Sequence, residues 1–142
     1  MFRQLVYLST ASIPFSNAAL LQMLEKVRPR NLSRSVTGIL LYGDRAFVQI
    51  LEGPSQSVEE IFSSIARDAR HTSVTVVQDA MVERRDFEDW AMAFRKVDKD
   101  ELSRFQGLRP LTKDAVTSIA GELSHPVARV FIRQFAESGY RW

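Results

Sequence analysis

The first half of the chain alternates between an apolar period typical of strands and one typical of helices. In residues 2–9, Leu5 and Tyr7 fall on one face of an extended segment and Val6 and Leu8 on the other. This pattern predicts a first strand that is covered on both faces. Four apolar residues then recur at helical spacing and predict a first helix: Leu20, Leu21, Leu24 and Val27.

The first helix carries signals at both ends. Ser16 or Asn17 can cap the N-terminus, because a short polar side chain accepts a hydrogen bond from the free backbone N–H groups there. Pro29 lacks an N–H group and its ring clashes with the preceding turn, so we expect the helix to end at Pro29. Asn31 would then be a turn or C-terminal cap residue.

Two short apolar runs, 36–42 and 46–51, follow on either side of Gly43-Asp44-Arg45, which is typical of an antiparallel hairpin. Ser57 and Glu60 have the spacing of a capping box at the start of a second helix. The apolar stripe of that helix is predicted at five positions: Val58, Ile61, Phe62, Ile65 and Ala69. The chain to this point indicates the order β-α-β-β-α.

Residues 73–82 are rich in β-branched side chains and predict a fourth strand. A fifth strand is predicted where alternate residues share one face: Glu88, Trp90, Met92 and Phe94. The order β-α-β-β-α-β plus one strand predicts an α+β, ferredoxin-like sheet with both helices on one face. We expect residues 1–97 to form this unit.

The C-terminal stretch, residues 98–142, contains further apolar stripes at helical spacing: Val116, Ile119, Leu123, Val127, Val130 and Phe131. Because the strands are apolar on both sides, the second sheet face also needs a cover. We therefore expect a helical cap of the same domain on that face, with 107–110 as the connection between sheet and cap.

Composition narrows the possible chemistry. The 142 residues contain no Cys, which excludes disulfides and thiol catalysis, and only two His residues, His71 and His125, so we expect no metal site. The net charge of +2 is too small to indicate nucleic acid as a direct partner. Neither an apolar run near membrane-spanning length nor a charged leader is visible, so we expect no membrane association and a cytoplasmic protein.

Three polar residues interrupt the apolar pattern: Tyr7, Gln49 and Asn31. Gln49 lies between Phe47 and Leu51 on one face of an internal strand, and burying an unpaired amide costs roughly 1–3 kcal/mol. Each residue alone has an ordinary structural explanation, such as a bond to a neighbouring backbone group. Together they can form one polar cluster, because the first and third strands can be neighbours in this topology.

A phenol and an amide both donate and accept hydrogen bonds, so Tyr7 and Gln49 can bind the polar edge of a ring in more than one arrangement. At the end of the second helix, Arg67, Arg70 and His71 are able to hold phosphates. Such a cationic helix end is more often simply solvated.

Five ordered blocks of the sequence resemble the BLUF family of blue-light sensors that use flavin adenine dinucleotide, over about residues 2–95. The blocks are residues 5–9 (Leu-Val-Tyr-Leu-Ser), Asn31 with 35–40, 47–53 (Phe-Val-Gln-Ile-Leu-Glu-Gly), 68–71 (Asp-Ala-Arg-His) and 87–92. Ser35 departs from the family pattern, which usually has Gly there. If its φ angle is positive, the serine strains the backbone modestly.

The resemblance implies a flavin between the two helices, FAD with FMN as an alternative. It implies contacts at Tyr7, Leu24, Val27, Arg30, Asn31, Phe47, Gln49, Leu51, Ile65, Asp68, Arg70 and His71. It also implies a photochemical switch of Tyr7 and Gln49, with Trp90 and Met92 on the switching strand. The family mechanism moves an electron and a proton from Tyr7, after which Gln49 changes its hydrogen bonds.

Only the 45 residues 98–142 follow the predicted sheet, without signs of a cyclase or phosphodiesterase domain, so we expect a sensor without its own effector enzyme. We expect it to signal to an unidentified downstream protein and to form a homo-oligomer, through which a short sensor gains an output surface.

Two other functions are open to this superfold. An acylphosphatase-like hydrolase would use an Arg and an Asn, but residues 10–14 lack the Gly-rich, Arg-containing loop that cradles a phosphate. An RNA-recognition module would use the segment 45–50, but Leu41, Arg45 and Ile50 stand where exposed aromatic rings are needed for base stacking.

Overall fold

The computed structural model describes residues 1–43, 45–87, 108–110, 117, 121, 123–126, 129, 130 and 133. The elements with defined bounds are β1 (Phe2–Ala11), α1 (Asn17–Ser33), β2 (Thr37–Gly43), β3 (Ala46–Gly53), α2 (Ser55–Ala66), β4 (His71–Val82) and β5 (Leu108–Pro110). The predicted order of the first six elements is confirmed.

The strands form one sheet in the order β4-β1-β3-β2-β5. β1 is central and pairs antiparallel with β3 on one side and with β4 on the other. β2 pairs antiparallel with β3 through the predicted hairpin, in which Gly43 is opposite Ala46. This is the ferredoxin-like arrangement expected from the element order.

The fifth strand of the structure differs from the one predicted. The predicted strand at 88–94 lies outside the described residues. Leu108–Pro110, which we interpreted as a connection, instead pairs in parallel with Leu40–Tyr42 of β2. β2 is otherwise an edge whose backbone groups need partners, and a proline is tolerated on such an outer strand.

The prediction that the first helix ends at Pro29 is wrong, because α1 continues to Ser33. The proline removes only one helical N–H group, and the turn that follows is fixed by burial and by capping. Asn31 is completely buried, and its carbonyl oxygen accepts hydrogen bonds from the backbone N–H groups of Arg34 (3.1 Å) and Val36 (2.9 Å). Asn31 is therefore a residue of the last turn of α1, and Arg34 is the cap.

Of the two predicted helix caps, the one at the start of α1 is confirmed and the one at the start of α2 is wrong. Ser16 caps α1 as expected, since its side chain accepts a hydrogen bond from the Ala19 N–H group at 3.1 Å. The predicted capping box of α2 is wrong: the helix begins at Ser55 after Pro54, with no side-chain cap. Proline pre-sets the backbone at a helix start, so α2 begins two residues before Ser57.

Both helices pack on the same face of the sheet. α1 covers one apolar cluster: Ala11, Leu20, Met23, Leu24, Leu40 and Phe47. α2 covers a second cluster: Leu5, Tyr7, Val36, Leu51, Val58 and Ile61. The odd-numbered residues of β1 and β3 point to this helix face and the even-numbered residues to the opposite face.

Two positions in the turn and strand after α1 have unusual backbone angles. Ser35 has φ of +59°, so the expected strain of a serine at this position is present. Gly38 has φ of +156°, and a Cβ atom there would lie 1.8 Å from the carbonyl oxygen of Ile50. Only glycine lets β2 approach β3 this closely, and β3 is the strand that contains Gln49.

Candidate functional site

Tyr7 and Gln49 occupy directly opposed positions of the two central strands, β1 and β3. Both side chains point to the helix face and are buried, with 1% and 5% of their surface exposed. The Tyr7 hydroxyl donates a short hydrogen bond to the Gln49 carbonyl oxygen Oε1. The two polar residues that interrupt the apolar pattern therefore form one bonded pair inside the protein.

The pair lies at the inner end of a cleft between α1, α2 and the sheet. Apolar side chains form most of the walls: Met23, Leu24, Val27, Leu40, Phe47 and Ile65. Polar and charged side chains form the rest: Tyr7, Gln49, Arg30, Ser64, Asp68, Arg70 and His71. A cleft of this composition suits a ligand with an apolar body and polar edges.

Aromatic contacts fix the rings at the base of the cleft. The Phe47 ring packs edge-on against Phe15, with 5.5 Å between the ring centroids. It also packs at a tilt against the His71 ring, with 4.8 Å between the centroids. The Tyr7 ring packs against Phe62 of α2 at 5.5 Å. The Phe62 contact and the hydrogen bond to Gln49 together hold the Tyr7 side chain in position.

Burial raises the pKa of the Tyr7 phenol well above its ordinary value of 10, and the negative charge of Asp68 raises it further. The phenol is therefore protonated at physiological pH. It is a hydrogen-bond donor to Gln49, and it can give up its proton only together with an electron or to a strong nearby base.

The outer rim of the cleft carries a charged pair and an imidazole. The Arg70 side chain donates hydrogen bonds of 2.5–3.0 Å to both oxygens of the Asp68 carboxylate, which lowers the pKa of that carboxyl to about 2. His71 Nδ1 lies 3.0 Å from the Ser9 hydroxyl, and burial lowers the pKa of its imidazole. At neutral pH the rim carries Asp68⁻, Arg70⁺ and a neutral His71.

Arg30 contributes a second cation to the side of the cleft formed by α1. Its guanidinium is partly buried, which lowers its pKa, and it contacts the Ser64 hydroxyl of α2 at 3.5 Å. Its Nε atom is buried without a hydrogen-bond partner among the described residues. A buried donor of this kind is expected to bind a polar atom of a ligand.

The structure brings most of the predicted contact residues to this cleft. Asn31 and Leu51 are buried nearby but do not line it, and Trp90 and Met92 lie outside the described residues. Three lining residues were missed: Met23, Leu40 and Ser64. Met23 continues the α1 stripe and Leu40 shares a face with Gly38, so periodicity could have indicated both. Ser64 carries no sequence signal.

The described part of the chain contains no helix with the length and apolar character needed to cross a membrane. Among the same residues, no three potential metal ligands come together.

A comparison with models of protein families identifies the family to which this sequence belongs. The family model BLUF, described as sensors of blue-light using FAD, matches residues 2–93. The match covers more than half of the chain, and this protein belongs to the BLUF family. The matched range contains every residue of the cleft.

Curated relatives carry the same region on longer chains. The chain is 37% identical over 89 residues to photoactivated adenylate cyclase subunit beta of Euglena gracilis, covering 62% of this chain and 10% of that protein. It is 40% identical over 53 residues to the blue light- and temperature-regulated antirepressor BluF of Escherichia coli K12, covering 37% of this chain and 13% of that one. The chain thus spans about a tenth of the length of these relatives.

Solved structures agree on the fold. The dark-state structure of BlrB, a BLUF protein, superposes with a TM-score of 0.65 at 28% identity and covers 96% of each chain. A bacterial light-regulated adenylyl cyclase superposes with a TM-score of 0.67 at 25% identity, covering 96% of this chain and 33% of that one. Neither the acylphosphatase-like nor the RNA-binding alternative is favoured by these matches.

The cleft fits the flavin that the family uses. A flavin ring is planar and largely apolar, with carbonyl and nitrogen atoms along one edge, and the cleft offers apolar walls with Gln49 and Tyr7 at its inner end. The cation of Arg70 at the rim suits the phosphates of the dinucleotide. No lining residue places an isolated negative charge at the inner end.

Proposed function

We propose that this chain is a blue-light photoreceptor that holds FAD in the cleft between α1 and α2 and signals by rearranging the hydrogen bonds of Tyr7 and Gln49. The observation that carries the proposal is the buried bond from the Tyr7 hydroxyl to the Gln49 carbonyl oxygen at the inner end of the cleft. Burying two polar side chains in an apolar core costs more than packing two leucines there, which favours a functional reason for the pair.

A flavin held by Tyr7, Gln49 and the apolar walls of the cleft would supply blue-light absorption and an excited state able to take up an electron and a proton. Tyr7 is the donor: because its phenol keeps its proton at neutral pH, loss of the electron and loss of the proton are coupled. The electron and the proton return to Tyr7 afterwards, so no chemical product is formed.

Gln49 responds to this transfer by changing its hydrogen bonds. Its Oε1 atom accepts from Tyr7, which leaves the Nε2 N–H groups available to a ligand in the cleft. Rotation or tautomerisation of the amide exchanges acceptor for donor at nearly constant shape. In a dry site the altered bond is strong enough to persist until thermal relaxation.

The other residues predicted to contact the flavin fall into three groups with different chemistry. Leu24, Val27, Phe47 and Ile65 would pack on the ring, while Leu51 would support Gln49 from the same strand face. Arg30 and Asn31 would hold the ring's carbonyl edge. Asp68, Arg70 and His71 would lie toward the ribityl and phosphate end. Trp90 and Met92 complete the proposed switch.

The output is proposed to run through another protein or a homo-oligomer and not through catalysis by this domain. Relatives named photoactivated adenylate cyclases carry the similar region as about a tenth of a longer chain, which favours a sensory module that regulates another unit. We place the protein in the cytoplasm, without direct nucleic-acid binding.

The test is the visible spectrum of the protein purified in darkness, recorded before and after blue illumination. We expect a flavin spectrum that shifts to the red in light and recovers in darkness. Chromatography of the released flavin distinguishes FAD from FMN. A protein that cannot be loaded with flavin would refute the proposal.

Gln49→Leu tests the switch itself. The variant should keep the flavin, because leucine fills similar space, but lose the red shift, because leucine cannot exchange hydrogen bonds. Gln78→Leu is the matched control: Gln78 is an equally buried amide, 5% exposed, on β4. It does not line the cleft, so its variant should keep the shift. A normal photocycle in Gln49→Leu would refute the Tyr7–Gln49 mechanism.

A further inference from the structure

The sheet face opposite the cleft buries a second set of polar side chains. Gln4 of β1 and Glu52 of β3 occupy directly opposed positions, as Tyr7 and Gln49 do, and both are completely buried. A buried carboxylate is costly unless its oxygens are bonded. The partners of Glu52 therefore show what this site holds in place.

Three donors from β1 and from the segment after β4 surround the Glu52 side chain. Its carboxylate accepts from Gln4 Nε2 at 2.9 Å and from the backbone N–H groups of Asp86 at 2.8 Å and Phe87 at 2.7 Å. Phe87 is completely buried. Glu52 thus fastens the segment that follows β4 onto the central strand β3.

The same amide of Gln4 reaches a second carboxylate. Gln4 Nε2 also donates to Asp86 Oδ2 at 2.8 Å, and that oxygen accepts from the backbone N–H group and the hydroxyl of Ser124, at 3.1 and 3.2 Å. Leu123, the preceding residue, is completely buried. Asp86 therefore joins the central strands to the C-terminal stretch.

We call Gln4, Glu52, Asp86 and Ser124 the far-face network. Its strand members lie three residues along the same two strands from Tyr7 and Gln49, about 10 Å at the rise of a β-strand. They point to the opposite face. The network is thus attached to the same strand pair whose contact changes when the Tyr7–Gln49 bond changes.

We propose that the far-face network carries the state of the Tyr7–Gln49 pair through the sheet to the C-terminal stretch, with Gln4 and Asp86 as positioning residues of the signal. The inference rests on the proposed photoreceptor function. Its members are separated by 34 to 82 positions in sequence, so the links exist only in the folded chain.

One amide group of β1 links both carboxylates of the network. The two hydrogens of Gln4 Nε2 are donated to Glu52 and to Asp86, while Gln4 Oε1 accepts from Gln78 Nε2 at 2.5 Å, which fixes the amide orientation. Because Glu52 also holds the backbone of Asp86 and Phe87, a small displacement of β3 relative to β1 moves Asp86 relative to Gln4 and weakens the bond between them. Weakening the bond to Asp86 loosens the oxygen that holds Ser124.

The experiment measures amide hydrogen exchange of residues 123–130 in the flavin-loaded protein, in darkness and under blue light. In the unsubstituted protein we expect exchange there to be faster in light. Asp86→Ala removes the acceptor for Ser124, so dark exchange should rise by about tenfold. The light-minus-dark difference should disappear while the flavin red shift remains.

Three comparison variants separate an effect on signalling from an effect on folding. Asp86→Asn keeps a carbonyl oxygen that can replace Oδ2, so it should restore the difference. Asp79→Ala removes an exposed carboxylate of β4 that bonds to Arg3 at 2.7 Å and does not touch Ser124, so it should keep the difference. Ser124→Ala, at an exposed position, should reduce the difference without unfolding the sheet.

The outcomes separate this inference from the function on which it rests. Absence of a red shift in the unsubstituted protein refutes the photoreceptor proposal and the network together. A red shift without any light-dependent exchange at 123–130, or an unchanged difference in both Asp86→Ala and Ser124→Ala, overturns the network alone. Loss of the difference in Asp79→Ala as well would also overturn it, because the effect would then be general.

Discussion

The two faces of the central sheet both bury polar side chains, but they satisfy them differently. On the helix face, Tyr7 and Gln49 bond to one another within apolar walls that open to a cleft. On the opposite face, Glu52 accepts from three donors and is completely buried. The Gln49 amide lines a cleft that is open to a ligand, whereas the Glu52 carboxyl group is held by donors from two other segments.

The difference lies in how freely each polar group can reorient. An amide that lines a cleft can bind a ligand and can exchange donor for acceptor by rotation. A carboxylate held by backbone N–H groups from another segment cannot move without breaking several bonds. The strands between the faces connect the movable pair to Glu52, and Gln4 and Asp86 continue from there as the far-face network.

The largest expected effect concerns Glu52. Glu52→Leu leaves the backbone N–H groups of Asp86 and Phe87 buried without acceptors, so the free energy of unfolding should fall by about 4 kcal/mol. Gln49→Leu strands only the Tyr7 hydroxyl and should cost about 2 kcal/mol. Urea denaturation in darkness, followed by circular dichroism, measures both. Equal losses would contradict the distinction between the faces.

A second substitution tests how closely the strands are packed at the helix face. Gly38→Ala should lower the free energy of unfolding by about 3 kcal/mol, because the new Cβ atom would meet the Ile50 carbonyl oxygen and push β2 from β3. Gly121→Ala is the control, since a Cβ there meets no atom within 4 Å. Thermal unfolding compares the two. A stable Gly38→Ala protein would show that β2 can shift freely.

Acid titration distinguishes the carboxylates of the two faces. Arg70 lowers the pKa of Asp68 from 3.8 to about 2, so this pair stabilises the fold above about pH 4 and loses its contribution as the pH falls toward 2. Because Arg70 is half exposed, we expect about 1 kcal/mol. Urea unfolding of Asp68→Asn against pH should lack this acid loss.

Glu52 should behave in the opposite sense. Burial raises the pKa of its carboxyl above 4.5, so the folded protein holds the proton longer than the unfolded chain, and this residue's contribution weakens as the pH rises above 4.5. In Glu52→Gln that decline should be absent. If both variants showed the same pH slope as the unsubstituted protein, the electrostatic contrast between the faces would be wrong.

The smallest effect is expected at Ser35, in the turn that leads from α1 into the sheet. Ser35→Gly should raise the free energy of unfolding by about 0.5 kcal/mol, because glycine tolerates a φ of +59° but gains freedom in the unfolded chain. Ser33→Gly, within the last turn of α1, should have the opposite sign. A loss of stability in Ser35→Gly would show that its side chain makes a larger contribution than the strain costs.

The helix-face site was largely predictable because periodicity places residues on faces. The period of two puts Leu5 and Tyr7 on one face of β1, and Phe47, Gln49 and Leu51 on one face of β3. Two polar residues on otherwise apolar faces then indicate a site. The far-face network was not predictable, since Gln4 and Glu52 stand near strand ends, where polar residues are normally exposed.

The sequence by itself determined the order of the first six elements, the hairpin and the resemblance that the family match bears out. It also determined the apolar stripes of both helices, except at Ala69, which is exposed and lies beyond the end of α2 at Ala66. These are local properties, since each depends on residues a few positions apart. Only the tertiary structure decided the pairing of Tyr7 with Gln49, the extension of α1 beyond Pro29 and the place of Leu108–Pro110 in the sheet. Each of these depends on burial and on bonds between distant segments, whose free energy overrides local preference.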